Sequence, residues 1–114
     1  MGHSSGILVL QQGLLFENWV ILEVIARLKD RAKFYYWRTK KGDEVDLIVE
    51  KEGRRTLIEV KTTEHPSTED FEGLVLFKKK YGCDAGWVVC QVSRPQRFGD
   101  FTAIPWSELG SLWN

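Results

Sequence analysis

Charged side chains on two neighbouring extended segments have the types and spacing of a metal-assisted hydrolytic site. Asp46 lies in the alternating segment 44–50, and Glu59 and Lys61 lie in the next extended segment. Glu52-Gly53 between them is typical of a hairpin turn, and pairing about that turn places Asp46 opposite Glu59. Two carboxylates with Cβ atoms about 5 Å apart repel by roughly 3 kcal/mol at an effective dielectric near 20. A Mg²⁺ ion, which binds carboxylate, water and phosphate oxygens, would offset that repulsion.

Lys61 is the candidate for stabilising charge at this site. It follows Glu59 by two residues in an extended segment, so both side chains are expected on the same face of the sheet. There an ammonium group can act on a phosphate or an attacking water. The same pairing places Lys61 opposite Glu44, so an ion-paired hairpin face without chemistry is the alternative interpretation.

A helix predicted over Leu14–Asp30 supplies a further acid, Glu17. It falls beside Val24 and Leu28 at the edge of the predicted buried arc. Because desolvating a carboxylate is costly, Glu17 needs a partner there, which is either the site or an arginine. The buried arc is predicted to contain Leu14, Ile21, Val24, Ile25 and Leu28.

The remaining patterns predict alternating strands and helices, which favours an α/β or α+β layer architecture. A helix should begin after Ser67 as its N-cap and end at about Tyr81, before Gly82. Alternation in the segment 44–50 predicts Val45, Leu47 and Val49 on one face and Glu44, Asp46, Ile48 and Glu50 on the other. The other predicted elements are strands at 34–38, 86–90 and 101–104, with 86–90 in the sheet interior, and a short helix at 105–112.

Composition limits the class of protein. The 114 residues are 43% hydrophobic, enough for one compact domain and too apolar for an intrinsically disordered chain. Sixteen basic and sixteen acidic side chains cancel, which excludes a strong global positive field. No apolar run reaches the roughly 20 residues of a membrane span, and Cys83 and Cys90 are expected to be reduced thiols. We therefore expect a cytoplasmic protein with no membrane partner, in which 1–12 is a tail and 13–114 a single domain.

Three segments together resemble the PD-(D/E)xK nuclease superfamily, which has the restriction-endonuclease-like fold. They are Leu14–Asn18, Gly42–Asp46 and Ile58–Lys61, which carry an LFEN, an EVD and an EVK motif. More narrowly, the sequence is similar to the uncharacterised C-terminal domain of predicted prokaryotic AAA-type ATPases, over about Gly13 to Gly82. One departure is Val45, where a proline often precedes the first acid. The resemblance implies an α/β fold with a central mixed β-sheet flanked by helices.

The resemblance also implies a function and a set of site residues. The superfamily hydrolyses phosphodiester bonds, mostly in DNA, with Mg²⁺ or Mn²⁺. Asp46 and Glu59 would bind the metal, with the main-chain carbonyl of Val60 as a further ligand. Lys61 would assist catalysis, and Glu17 would orient metal or water. The domain is therefore predicted to be a nuclease-like hydrolase.

The loop that follows the EVK motif contains weaker candidates for contact with DNA, namely Thr62, Thr63 and His65. Hydroxyl groups after a strand more often bind local main-chain groups, and a loop histidine is more often simply exposed. DNA is the expected partner, and a second copy of the chain or an ATPase domain are further expected partners. The alternative function is a non-catalytic module that binds DNA or protein.

Overall fold

The protein is built on a six-stranded mixed sheet with a helix on each face. The structure is a computed structural model that describes the backbone of residues 3–113 and the side chains of residues 13–113. The predicted architecture, a central mixed sheet flanked by helices, is confirmed. The elements are helices α1 (His3–Leu28) and α2 (Glu72–Tyr81), strands β1 (Lys33–Arg38), β2 (Glu44–Lys51), β3 (Arg54–Val60), β4 (Ala85–Cys90), β5 (Gln96–Phe98) and β6 (Phe101–Pro105), and 3₁₀ turns at Lys29–Arg31, Thr68–Phe71 and Trp106–Ser111.

The strands lie in the order β1-β2-β3-β4-β6-β5. The first three strands form an antiparallel meander, β4 pairs in parallel with β3 and β6, and β5 pairs antiparallel with β6. The predicted interior strand is confirmed, because β4 lies between two strands and Val88, Val89 and Cys90 are buried. The three-residue edge strand β5 was not predicted, and the expected helix at 105–112 is a 3₁₀ turn.

The hairpin of β2 and β3 has the predicted turn and register. Glu52 and Gly53 have φ angles of 54° and 77°, which is the conformation that a two-residue hairpin turn of type I′ requires. Glu50 pairs with Arg55, as predicted, and their side chains form an ion pair at 2.9 Å. The confirmed register brings the predicted site residues to the same end of the hairpin.

β2 contains one more residue than β1 over part of their ladder. The pairs that flank this irregularity are Tyr35–Ile48 and Trp37–Val45. Between them β1 advances by two residues and β2 by three, so Asp46 and Leu47 both lie opposite Tyr36. Two residues facing one is the arrangement of a β-bulge, which changes the direction of a side chain locally.

The bulge overturns the strict alternation predicted for β2. Val45 and Ile48 pack together with α2, in what we call the α2 layer. Leu47 and Val49 pack with α1, in the α1 layer. The prediction that Val45 shares a face with Leu47 is therefore wrong, because the extra residue shifts the period of two.

Helix α1 is longer than predicted and buries a narrower face. It begins at His3, so residues 3–12, which were expected to be a tail, have helical backbone. Val20, Val24 and Leu28 are fully buried at helical spacing, whereas Leu14 is 61% exposed, so its predicted burial is wrong. Within residues 3–113, no helix has the length and apolarity that crossing a membrane requires.

Helix α2 begins and ends where its sequence signals predict. Ser67 forms a capping box with Asp70, and the first turn, Thr68–Phe71, is 3₁₀ before the α-helix proper. Gly82 follows the helix with a φ of 78°, which is a conformation that favours glycine. The helix packs Leu74 and Phe77 against the sheet.

Candidate metal centre

The side chains of Asp46 and Glu59 each accept a hydrogen bond from the main chain of the neighbouring strand. The main-chain ladder between β2 and β3 ends at the pair Leu47–Ile58. Beyond it, the Asp46 N–H donates to Glu59 Oε1 at 3.0 Å, and the Val60 N–H donates to Asp46 Oδ2 at 2.8 Å. Because buried N–H groups need acceptors, these carboxylates replace main-chain carbonyls where the ladder ends.

A third carboxylate joins this pair. Glu44, Asp46 and Glu59 each offer an oxygen, and the three atoms lie within 4.8 Å of one another. Glu59 is only 4% exposed, and the other two are partly buried. Glu44 was not among the predicted ligands, although its i, i+2 spacing to Asp46 in one extended segment was the signal for it.

Basic side chains flank the cluster on two sides. Lys61 Nζ lies 3.8 Å from Glu59 Oε2, and the Lys61 side chain is 37% exposed. The Lys61 N–H donates to the carbonyl oxygen of Val89 at 3.0 Å, which fixes its backbone to β4. Glu44 was expected to face Lys61 across the hairpin; instead its Oε2 lies 3.6 Å from Arg38 Nε, because the ladder ends before this pair forms.

The electrostatics of the cluster favour a bound cation. Burial, together with the hydrogen bond and charge of Asp46, raises the pKa of Glu59 to about 9, although Lys61 acts to lower it. Without a cation, therefore, the folded protein holds a proton here at neutral pH. Several convergent carboxylate oxygens are the donor set of a hard divalent cation, which would offset the same repulsion. The residues present thus fit such an ion.

Glu17 lies beside the cluster without being one of its three close carboxylates. With Asp46 it lines an open cleft of about 550 Å³ between α1 and β1. Burial raises the pKa of Glu17, and Asp46 and Glu44 raise it further, whereas Arg38 lowers it. Glu17 therefore faces the same electrostatic environment as the cluster, and no arginine ion pair to it was found among the residues with described side chains.

The residues predicted to contact DNA lie in the loop after β3, and the hydrogen bonds of Thr63 are to main-chain groups. Thr63 Oγ1 accepts a hydrogen bond from the His65 N–H at 3.1 Å, and the Thr63 carbonyl oxygen accepts one from the Gln91 N–H at 2.8 Å. Thr62 and His65 are exposed. The Thr63 hydroxyl thus satisfies local main chain, and contact of these residues with DNA stays a prediction.

The fold and the cluster define a mixed α/β domain with an acidic centre at the end of a β-hairpin. The chain belongs to the DUF4143 family, a domain of unknown function, whose family model matches residues 12–109. This domain is found in AAA-ATPase-associated proteins, which agrees with the narrower resemblance, that to the C-terminal domain of predicted prokaryotic AAA-type ATPases. No curated protein and no solved structure matches the chain.

Proposed function

We propose that this domain is a metal-dependent nuclease of the PD-(D/E)xK type that hydrolyses phosphodiester bonds in DNA. The observation that carries the proposal is the convergence of Glu44, Asp46 and Glu59 within 4.8 Å, with Lys61 Nζ 3.8 Å from Glu59. Three acids and a lysine in this order along a hairpin have the chemistry that phosphodiester hydrolysis needs.

Asp46 and Glu59, together with Glu44, are the residues that would hold Mg²⁺ or Mn²⁺. When bound, such an ion supplies Lewis acidity to a phosphoryl oxygen and lowers the pKa of a water molecule. Glu59 must lose its proton to act as a ligand, so binding releases a proton. The Val60 carbonyl as a further ligand stays a prediction.

The other side chains of the site act on substrate and water. The half-exposed ammonium of Lys61 carries a positive charge that stabilises negative charge developing on the phosphate. Glu17, which lines the same cleft as Asp46, accepts a hydrogen bond from water in its ionised form and so orients it.

A cleavage assay tests the proposal. Wild-type protein with Mg²⁺ or Mn²⁺ is compared with the Asp46→Asn and Lys61→Ala variants on single-stranded and duplex DNA. Each variant is expected to lose about 100-fold or more in rate, because a charge at the reacting centre is removed. Asn retains an oxygen for the Val60 N–H, so the fold is kept.

Matched controls are the exposed residues Asp30 and Lys79, which lie outside the cluster. The Asp30→Asn and Lys79→Ala variants are expected to cleave at the wild-type rate. Equal rates for wild type and the Asp46→Asn and Lys61→Ala variants would refute the catalytic proposal.

A second candidate function, a protein-binding module, is supported by an apolar surface on α1. Leu15, Trp19 and Leu22 lie on one face of the helix and are 66%, 43% and 64% exposed. We propose an ATPase domain or a second copy of the chain as the partner of this surface. Light scattering on wild type and the Leu22→Glu variant tests the second copy: a dimer that the variant abolishes supports it, and a monomeric wild type rules it out.

A further inference from the structure

The edge strand β1 forms one wall of the cleft that contains Glu17 and Asp46. Phe34, Tyr35, Tyr36 and Arg38 line this cleft, and Phe34, Tyr36 and Arg38 alternate along β1. Tyr36 also lines a second cleft, together with Tyr81. Phe34 packs into the α1 layer, whereas Tyr36 is 73% exposed. The cleft therefore has an aromatic ring at its open side that the protein's own core does not use.

The β-bulge places this ring next to the carboxylate cluster. Tyr36 is the residue that lies opposite both Asp46 and Leu47. Residues directly opposite on adjacent strands have Cβ atoms about 5 Å apart. A group that lies against the Tyr36 ring is therefore a neighbour of Asp46.

The charge of the cleft disfavours a partner held mainly through its phosphates. Arg38 is the basic residue that lines the cleft, and it also lies 3.6 Å from Glu44. The whole chain carries no net charge. Binding of duplex DNA depends largely on neutralising several phosphates, whereas stacking of a base on an aromatic ring requires no net charge.

A base is free to stack on a side chain only where it is not stacked and paired within a duplex. The cleft volume of about 550 Å³ lies in the range of sites that take a small organic ligand, which a nucleotide matches in size. We propose that the substrate of this site is single-stranded DNA, with one base stacked on Tyr36 and the adjacent phosphate at Arg38. This inference rests on the proposed function and specifies its substrate.

Binding measurements test the inference without relying on cleavage. A labelled oligonucleotide, single-stranded or annealed to its complement, is titrated with protein in Ca²⁺, and fluorescence anisotropy reports the affinity. The variants are Tyr36→Ala and Tyr36→Phe. The matched control is Tyr81→Ala, since Tyr81 is an exposed tyrosine of the second cleft that Tyr36 lines, so an unchanged affinity in this variant shows that the base does not occupy that cleft.

Wild type is expected to bind the single strand at least about tenfold more tightly than the duplex. Tyr36→Ala should lose about tenfold in affinity for the single strand, whereas Tyr36→Phe and Tyr81→Ala should retain it, because loss of one stacked base has about this effect. Arg38→Gln should reduce the slope of log K against log salt by about 0.7, and Tyr36→Ala should leave that slope unchanged.

A second measurement needs no variant. A 2-aminopurine base in the single strand should change its emission when wild-type protein binds, because stacking on an aromatic ring alters its fluorescence. Equal affinity for duplex and single strand, an unchanged affinity in a folded Tyr36→Ala variant, or an unchanged 2-aminopurine emission would each overturn the inference.

The failure of this inference is distinguishable from the failure of the proposed function. Cleavage of duplex DNA that depends on Asp46 but not on Tyr36 would refute the single-strand substrate and support the nuclease. Tight binding of single strands through Tyr36, with no cleavage of any DNA by wild type, would refute the nuclease and support the binding site.

Discussion

Replacing Glu59 with glutamine is expected to remove most of a steep pH dependence of stability in the metal-free protein. Burial and the neighbouring Asp46 raise the pKa of Glu59 to about 9, from an ordinary value of 4.5. The folded protein therefore holds a proton on this group over an interval in which the unfolded chain has lost it. Unfolding releases that proton, so the free energy of unfolding falls as pH rises from 4.5 to about 9.

The size of the effect follows from the width of this interval. One pH unit changes the free energy of unfolding by about 1.4 kcal/mol for each proton released. Between about pH 5 and pH 8, the wild type should lose about 4 kcal/mol, which is a large part of the stability of an ordinary domain. Burial also raises the pKa of Glu17, which acts in the same direction.

Urea unfolding in the presence of a chelator, followed by tryptophan fluorescence at several pH values, measures the effect. The Glu59→Gln variant keeps an oxygen that can accept from the Asp46 N–H and has no proton to lose at position 59, so its stability should fall much less with pH, and Glu17 contributes to the slope that remains. The control is Glu64→Gln, which changes an exposed acid and should keep the wild-type slope. A wild-type stability that is constant from about pH 5 to pH 8, or an equal slope in Glu59→Gln, would refute the reasoning.

Two further predictions concern the cation and the packing behind it. Mn²⁺ should raise the melting temperature of wild type, by the equivalent of about 2.7 kcal/mol at a hundred times its dissociation constant. It should not raise the melting temperature of Asp46→Asn. Equal shifts of wild type and variant in scanning fluorimetry would contradict a metal site at this residue. Gly73→Ala should lower the free energy of urea unfolding by about 1–3 kcal/mol, because an added Cβ would overlap the Glu44 carbonyl oxygen. Its control is Val75→Ala on the exposed face of the same helix, which should change the free energy of unfolding by about 0.5 kcal/mol or less. A Gly73→Ala variant that is more stable than wild type would show that α2 does not pack closely against β2 at Glu44.

The register of the central hairpin was predictable because it depends on local chemistry. Glu52 and Gly53 specify a tight turn, and a tight turn fixes which residues of the two strands lie opposite each other. Asp46 and Glu59 were therefore expected near each other. The hydrogen bond that each carboxylate accepts from the main chain of the other strand agrees with that expectation.

The environment of Asp46 was less predictable, because it depends on how β2 pairs with β1. The bulge that places Asp46 and Leu47 opposite Tyr36 exists only through pairing with β1, and the alternation of β2 by itself does not indicate it. Glu44 was missed as a member of the cluster because a full ladder would have paired it with Lys61. The exposure of Leu14 was likewise not predictable, because the fully buried stripe of α1, Val20, Val24 and Leu28, is narrower than its apolar arc.

Asp46 and Glu59 stabilise the end of the hairpin through their hydrogen bonds, whether or not they also bind a cation. An alanine at Asp46 or Glu59 would leave the Val60 or the Asp46 N–H without its acceptor, which costs about 1–3 kcal/mol when the group is buried. A descendant of this protein that abandoned hydrolysis is thus expected to retain asparagine, glutamine or an acid at both positions. A polar residue that is retained there would indicate only that the N–H groups at the end of the hairpin need acceptors. Retention of negative charge would indicate a functional ion site.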